Sequence, residues 1–283
     1  MSELFVTGDK HGEIEIKDLS LRNFPAGNVL TKNDFVVVLG DFGLLWSNPP
    51  SDTERYWLKW LSGKKWTTLV VDGNHENFDL FDALHEEERW GAPVGRIAPD
   101  VYHLKRGYVY SIAGKNVFVF GGGESIDREY RTPGKSWWFR ELPSVEETER
   151  GFDSLDRAGW KVDFVWTHAA PYRAFAQLME NHYAVAHSQR EKKHDPLSRY
   201  LDELAGKLEF SEWCFGHYHL QSRPFEANAS GLFRAEYKSV RPLSVSEKME
   251  KMLAVDDFKK WNIDFDEMMG DERVHPKNPV GGW

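Results

Sequence analysis

The sequence holds a single cysteine, Cys214, in 283 residues. That excludes an intrachain disulfide, a Cys-built zinc site and an iron–sulfur cluster. Long apolar runs are also missing. Runs such as 35–39 fall far short of the roughly 20 residues that cross a bilayer. Residues 4–6 are too short for the apolar part of a signal peptide. The chain is expected to be soluble and cytoplasmic, with no membrane contact. Positive charge is in deficit, with 36 Lys and Arg against 45 Asp and Glu, a net charge of −9. Capture of a polyanion calls for a basic surface, so generic nucleic-acid binding is not expected. A small phosphorylated ligand stays open, because a bound cation can supply local positive charge. Internal repeats and low-complexity segments are lacking too.

What is present is a core-forming composition. The chain is 41% hydrophobic, with 12 Trp and 18 Phe. That argues against disorder and suffices for one large domain or two small ones. Short β-branched or aromatic runs at 4–7, 35–39, 68–71, 117–120, 164–167 and 213–215 read as strands. Their lack of polar alternation suits strands covered on both faces. Helical spacing marks 51–61, 143–158 and 195–204, with Ser51 or Asp52 as a cap for the first. Residues 108–112 and 115–120 read as a hairpin, and 225–237 as late strands turning at 228–231. The alternation predicts a layered α/β sandwich with mixed sheets over residues 1–240. From 241 to 283 the chain turns charged, then rich in Pro and Gly, and reads as a C-terminal extension, docked or partly mobile.

The strand ends carry the chemistry. The run at 4–7 leads into Gly8-Asp9-Lys10-His11-Gly12, and 35–39 into Gly40-Asp41-Phe42-Gly43. The run at 68–71 leads into Asp72-Gly73-Asn74-His75-Glu76. Thr167-His168 and Gly216-His217-Tyr218-His219 end the last two. Ligands bind at the carboxyl ends of strands in open α/β sheets. If these strands are neighbours, one edge collects Asp9, Asp41, Asn74 and five histidines. An isolated Asp-x-His or a strand-end Asp usually belongs to a turn or a cap. Five successive strand ends with ligand-type residues are hard to assign that way. Oxygen and imidazole without thiolate suit Mn, Fe, Zn or Ni, and eight candidates exceed the needs of one ion. Two ions about 3.5–4 Å apart can clamp the attacking and leaving oxygens of an in-line displacement.

The blocks Asp9-x-His11, Gly40-Asp41, Gly73-Asn74-His75-Glu76, Thr167-His168 and Gly216-His217-x-His219 resemble the calcineurin-like metallophosphoesterases. The resemblance spans residues 8 to 219. It implies a four-layer α/β/β/α sandwich with mixed β-sheets and a dinuclear centre. It also implies roles. Asp9, His11 and His219 would hold one ion, and Asn74, His168 and His217 the other. Asp41 would bridge them, His75 would assist at the substrate phosphate, and Glu76 would orient the ligands from behind. The ions would be Mn2+ first, with Fe, Zn or Ni as alternatives. The reaction would be hydrolysis of a phosphomonoester or phosphodiester by a metal-bridging hydroxide. The substrate would be a phosphorylated small molecule, a nucleotide or a phosphoprotein.

The protein-phosphatase and dinucleoside-polyphosphate hydrolase branches resemble Gly-Asp-x-x-Asp-Arg in the second block. Here the run is Gly40-Asp41-Phe42-Gly43-Leu44-Leu45, without the Asp-Arg. Those two activities therefore stand as alternatives. Arg128, Arg131 and Arg140 follow the Gly121-Gly122-Gly123 turn and are candidates for a substitute phosphate clamp, with Trp137 and Trp138 beside them. The bland reading pairs these arginines with nearby glutamates. His182, His187 and His194 could form another metal site, although a solvated helix–loop explains them as well. An alternative of another class is a non-catalytic scaffold, but such members lose ligands or the catalytic His, and here all are present.

Overall fold

Every apolar run expected as a strand is one. The computed structural model describes residues 2–181 and 195–254. Among them, β1 (Leu4–Thr7), β2 (Phe35–Leu39), β3 (Thr67–Val71), β4 (His85–Arg89), β5 (Ala92–Ala98), β6 (Val101–Leu104) and β12 (Arg241–Ser244) form one sheet. Its order is β12-β1-β2-β3-β6-β5-β4. The second sheet has the order β11-β10-β9-β8-β7. Its strands are β7 (Tyr108–Ile112), β8 (Lys115–Phe120), β9 (Phe164–Thr167), β10 (Glu212–Phe215) and β11 (Leu232–Ala235).

Each strand's period of two divides its residues between two apolar layers. Leu4, Val6, Val37 and Leu39 point inward, where they meet Val117, Val119, Trp166 and Cys214 of the other sheet. Phe5, Val36, Val38 and Val70 point outward against Trp57 and Leu61 of α1 (Asp52–Ser62) and Met249 of α6 (Glu247–Ala254). On the far side, Phe118, Phe120, Val165 and Trp213 meet three helices: α3 (Val145–Arg157), α4 (Tyr172–Asn181) and α5 (Pro196–Ala205). The result is the expected α/β/β/α sandwich. Because both strand faces are buried, the strands read as unbroken apolar runs.

Local chemistry sets the helix starts. Ser51 caps α1 in a reciprocal pair with Glu54, and Ser144 does the same for α3 with Glu147. Asp195 caps α5 by accepting from Ser198 N at 2.8 Å. The expected hairpin is β7–β8. In the late segment, 232–235 is a strand parallel to β10, and Phe225 makes a single antiparallel bridge to Phe233. Strands β4 to β6 and helix α2 (Phe78–Asp82) were not foreseen. β12 pairs antiparallel with β1 and Met249 is buried, so residues 241–254 lie against the larger sheet. His182, His187 and His194, and the chain after residue 254, lie outside the described residues.

β1, β2 and β3 are mutually parallel neighbours, as are β8, β9 and β10. The loops at their carboxyl ends therefore converge on one edge of the sandwich, and the ligand-type residues sit on five of the six.

Candidate metal centre

The loop after β1 folds onto the loop after β2. His11 N donates to Asp41 O at 2.7 Å, and Gly12 N to Phe42 O at 3.0 Å. Within the second sheet's loops, Gly216 N donates to His168 O at 3.0 Å. Thr167 steadies its own turn by donating to Ala169 O at 2.6 Å and accepting from Trp213 Nε1 at 2.9 Å. Four of the candidate ligands take positive φ: His11 at 24°, Asp41 at 48°, His217 at 70° and His219 at 53°. Such residues cost about 1–3 kcal/mol each and persist only where their surroundings fix them. Gly40 has φ of 103°, and a Cβ there would lie 2.0 Å from His168 Nδ1. Only glycine allows that approach.

Asp9, His11, Asp41 and His219 each bring a ligand-type atom within 4.8 Å of the others. His11 Nε2 lies 3.3 Å from Asp41 Oδ2, and His219 Nε2 lies 3.1 Å from Asp9 Oδ2. That Asp9 oxygen is buried and accepts no well-directed hydrogen bond. On the other side of Asp41, its Oδ1 lies 3.4 Å from His168 Nε2. His168 Nε2 is 3.0 Å from Asn74 Oδ1, while His168 Nδ1 is 2.7 Å from Leu39 O. A carbonyl only accepts, so Nδ1 carries a proton, and Nε2 faces two acceptor oxygens. Acceptors facing acceptors, with one buried carboxylate oxygen lacking a donor, is an arrangement that a cation resolves. The residues therefore fit a metal ion. The His217 ring packs on His168 with centroids 4.8 Å apart, and His217 N donates to Asp9 Oδ1 at 2.9 Å.

The field of the site follows from these contacts. Burial alone would lower the His11 pKa, but the hydrogen bond and charge of Asp41, with Asp9 and Glu15 behind, raise it to about 9. Burial alone would raise the Asp41 carboxyl; His168, His11 and His75 hold it well below the ordinary range. His75 donates its backbone N–H to Asp41 Oδ1 at 2.8 Å. Its imidazole pKa is lowered by burial, with Arg131, His11 and His168 adding to that and Asp41 opposing it. Glu76 is buried and touches backbone. Its Oε1 accepts from Phe42 N at 2.8 Å and Gly73 N at 3.2 Å, tying the loops after β2 and β3.

The three arginines separate. Arg131 forks onto Asp127, with both contacts at 2.8 Å, and its charge reaches His75. Arg128 pairs with Glu124 at 3.0 Å and is half exposed. Arg140 joins a different group, bonded to Asp82 and Glu147. So the structure brings the seven candidate ligands, His75 and Glu76 together, ties Arg131 to Asp127 and Arg128 to Glu124, and leaves Arg140 elsewhere.

Sequence reasoning missed several supporting residues. Glu15 Oε2 lies 3.1 Å from His11 Nδ1, which leaves Nε2 for the centre. Tyr237 stacks on His219 with centroids 4.8 Å apart and bonds Glu15 through its hydroxyl at 3.2 Å. Ser125 Oγ accepts from Asn74 Nδ2 at 2.9 Å. Lys10 is fully buried and bonds Asp18 at 3.1 Å and Tyr237 O at 3.2 Å. The His11–Glu15 spacing on one local turn was a legible signal, and Lys10 lies between Asp9 and His11; Tyr237 and Ser125 come from distant parts of the chain.

Residues 4–221 match the family model of the calcineurin-like phosphoesterases. No curated protein matches the sequence. Among solved structures, the chain is similar to phosphopantetheinyl hydrolase (PptH) from Mycobacterium tuberculosis, with 15% identity, 87% of this chain and 97% of that one covered, and a TM-score of 0.43. It is also similar to a candidate 5′-nucleotidase from Staphylococcus aureus solved with alpha-ketoglutarate. That match has 12% identity, covers 88% of this chain and 56% of the other, and has a TM-score of 0.46. No helix among the described residues is long and apolar enough to cross a membrane.

Proposed function

The chain belongs to the calcineurin-like phosphoesterase family, and on that premise we propose that it hydrolyses phosphate esters with two divalent cations gathered around Asp41. One observation carries the reading: the Asp41 carboxylate stands between His11 Nε2 at 3.3 Å and His168 Nε2 at 3.4 Å, one oxygen toward each. Asp9, His11 and His219 would complete one ion's shell, and Asn74, His168 and His217 the other's. The donor set, oxygen and imidazole without thiolate, favours Mn2+, with Fe, Zn or Ni as alternatives. Bound cations of this kind lower the pKa of water toward neutrality and neutralise phosphoryl charge.

The chain's own residues do the rest. Glu15 holds His11 in the tautomer that presents Nε2. Leu39 O does the same for His168. Glu76 keeps the β2 and β3 loops in register, so that Asp41 and Asn74 stay side by side. His75 is half-buried beside His11, and its lowered pKa favours a neutral imidazole that would donate a hydrogen bond to the leaving oxygen. Arg131, already steered by Asp127, is the rim arginine we assign to the substrate phosphate, with the more exposed Arg128 beside it.

The test uses metal-stripped protein reloaded with Mn2+, with p-nitrophenyl phosphate and bis-p-nitrophenyl phosphate assayed in parallel. Asp41→Asn and His75→Ala are the controls. Turnover of either ester, lost in Asp41→Asn and reduced in His75→Ala with its metal retained, is the expected result. A monoester preference directs the search to phosphoproteins and nucleotides, and a diester preference to cyclic nucleotides or nucleic acid. No turnover of any phosphate ester with both ions loaded would refute catalysis and leave the scaffold.

A further inference from the structure

Two of the candidate ligand histidines are oriented by hydrogen bonds. His11 and His168 each set one ring nitrogen against an oxygen behind it, Glu15 Oε2 at 3.1 Å and Leu39 O at 2.7 Å, and turn the other inward. His219 has no such support. Its Nε2 meets Asp9 Oδ2 at 3.1 Å, and among the described residues its Nδ1 has no hydrogen-bond partner. Its side chain is 49% exposed, so burial does not confine the ring either. A ring with that freedom loses rotamer entropy when an ion fixes it, and the loss weakens binding.

What meets the ring is Tyr237. The two rings lie 6° from parallel, with centroids 4.8 Å apart. His11 closes a second side, edge-on at 5.0 Å. The Tyr237 hydroxyl donates to Glu15 Oε1 at 3.2 Å, and the other oxygen of that carboxylate holds His11 Nδ1. One side chain therefore serves both histidines assigned to the same ion. It stacks on the first and steadies the carboxylate behind the second. Its backbone is fixed in turn. Tyr237 O accepts from Gly8 N at 3.0 Å, Thr7 Oγ1 at 3.1 Å and Lys10 Nζ at 3.2 Å, and Tyr237 N donates to Gln221 Oε1 at 3.1 Å. A Cβ on Gly8 would lie 2.1 Å from Glu236 O, so glycine is what lets the loop after β1 come this close.

We propose that Tyr237 is a positioning residue for one metal ion, fixing the plane of His219 by stacking and the orientation of His11 through Glu15. It touches no reacting atom. The inference rests on the metal-bound reading above, and of that reading it needs only the ion held by Asp9, His11 and His219. Outer partners of metal ligands typically contribute about 10–100-fold in affinity.

Calorimetric titration of the metal-free full chain with Mn2+ tests it, with circular dichroism to check that each variant folds. Wild type is expected to bind two ions. Asn74→Ala and His11→Ala serve as backgrounds that each weaken a different ion. On Asn74→Ala, Tyr237→Leu should weaken the remaining ion about 10–100-fold. On His11→Ala it should leave the remaining ion unchanged, a selectivity that a general packing defect would not show. Tyr237→Phe keeps the stack and should recover most of the affinity. Its residual deficit should vanish on Glu15→Ala, because the hydroxyl acts through Glu15. Wild-type affinity in Tyr237→Leu, or an equal loss on both backgrounds, would overturn the inference. Tyr237→Phe as weak as Tyr237→Leu would overturn the part given to stacking. If wild type binds one ion, the two-ion reading falls alone: the same loss in Tyr237→Leu then supports the inference, and wild-type affinity overturns it.

Discussion

Replacement of Arg106 by Met should destabilise the protein strongly, and in a pH-dependent way. Arg106 is 3% exposed, and its Nε donates to Asp72 Oδ2 at 2.7 Å. Among the described residues, the side chain of Asp72, 1% exposed, is held otherwise only by His103 Nε2 at 3.0 Å. Arg106 also donates to Arg140 O at 2.9 Å. Methionine keeps the apolar stem and removes every donor. Stranding one partner of a buried pair costs about 3–5 kcal/mol, and the abandoned carbonyl about 1 kcal/mol more. Against an ordinary net stability of about 5–15 kcal/mol, the variant loses a large share of it at neutral pH. In wild type, burial would raise the Asp72 carboxyl, but Arg106 and His103 hold it well below its usual range. A depressed carboxyl contributes stability above its unfolded value, and that contribution fades as pH falls through the folded value. Without Arg106 the burial effect prevails and the sign reverses, so the variant recovers as pH falls. Urea unfolding followed by tryptophan fluorescence at pH 7.5 and 4.5 measures this. The deficit should be largest at pH 7.5, and adding Asp72→Asn to Arg106→Met should restore part of it. A deficit under about 1 kcal/mol, or one equal at both pH values, would refute the reasoning.

Burial raises the Glu236 carboxyl to about 7 against the pull of Arg241 and Arg234. A raised carboxyl withdraws stability as pH climbs from its unfolded value near 4.5 through 7, at most about 3 kcal/mol. Glu236→Gln should flatten the dependence of Tm on pH over that interval, and an unaltered slope counts against it. Gly40→Ala places a methyl 2.0 Å from His168 Nδ1 at a φ of 103°, so metal content should fall by about one ion per chain; a full complement by elemental analysis would sink the claim. Free Mn2+ at 100 times its dissociation constant should stabilise the protein by about 2.7 kcal/mol, which chelation removes. That raises Tm by roughly 5–10 °C, a shift that Asp41→Asn should lack.

The parts of the fold that the sequence disclosed are those where local composition and tertiary place agree. Strands β1–β3 and β8–β10 are buried on both faces, so they stand out as apolar runs. β4 does not, because His85-Glu86-Glu87-Glu88-Arg89 is an edge strand exposed along most of its length. Charge there protects an open edge from pairing with other chains and hides the strand from any reading of hydrophobicity. β5 carries Pro93 and Gly95 inside it, which reads as a loop. The candidate ligands were legible because they sit at the ends of apolar runs, four of the five blocks containing glycine. Asp72 reads locally as a turn residue, yet its partner Arg106 stands 34 positions away. Ser125 and Glu141 are ordinary polar residues until folding sets them behind Asn74. Arg140 resembles its neighbours Arg128 and Arg131 in sequence, but Asp82 and Glu147 claim it from other elements.

The two sheets are joined at the edge where the chemistry is expected, and the joining atoms include those of the candidate ligands. His168 comes from the second sheet and donates to Leu39 O of the first, at 2.7 Å. His217 N, also from the second, donates to Asp9 Oδ1 of the first, at 2.9 Å. These bonds offset the positive φ values of His217, His219, His11 and Asp41, since a strained loop holds only where partners on both sides fix it. They use one face of each ligand, His168 Nδ1 and Asp9 Oδ1, and leave the other, His168 Nε2 and Asp9 Oδ2, toward the centre. The scaffold therefore orients its donors by the same contacts that hold the sheets together. Such a centre is organised in advance, so binding energy need not be used to assemble the loops. It also follows that His168 and Asp9 cannot be loosened without loosening the contact between the sheets.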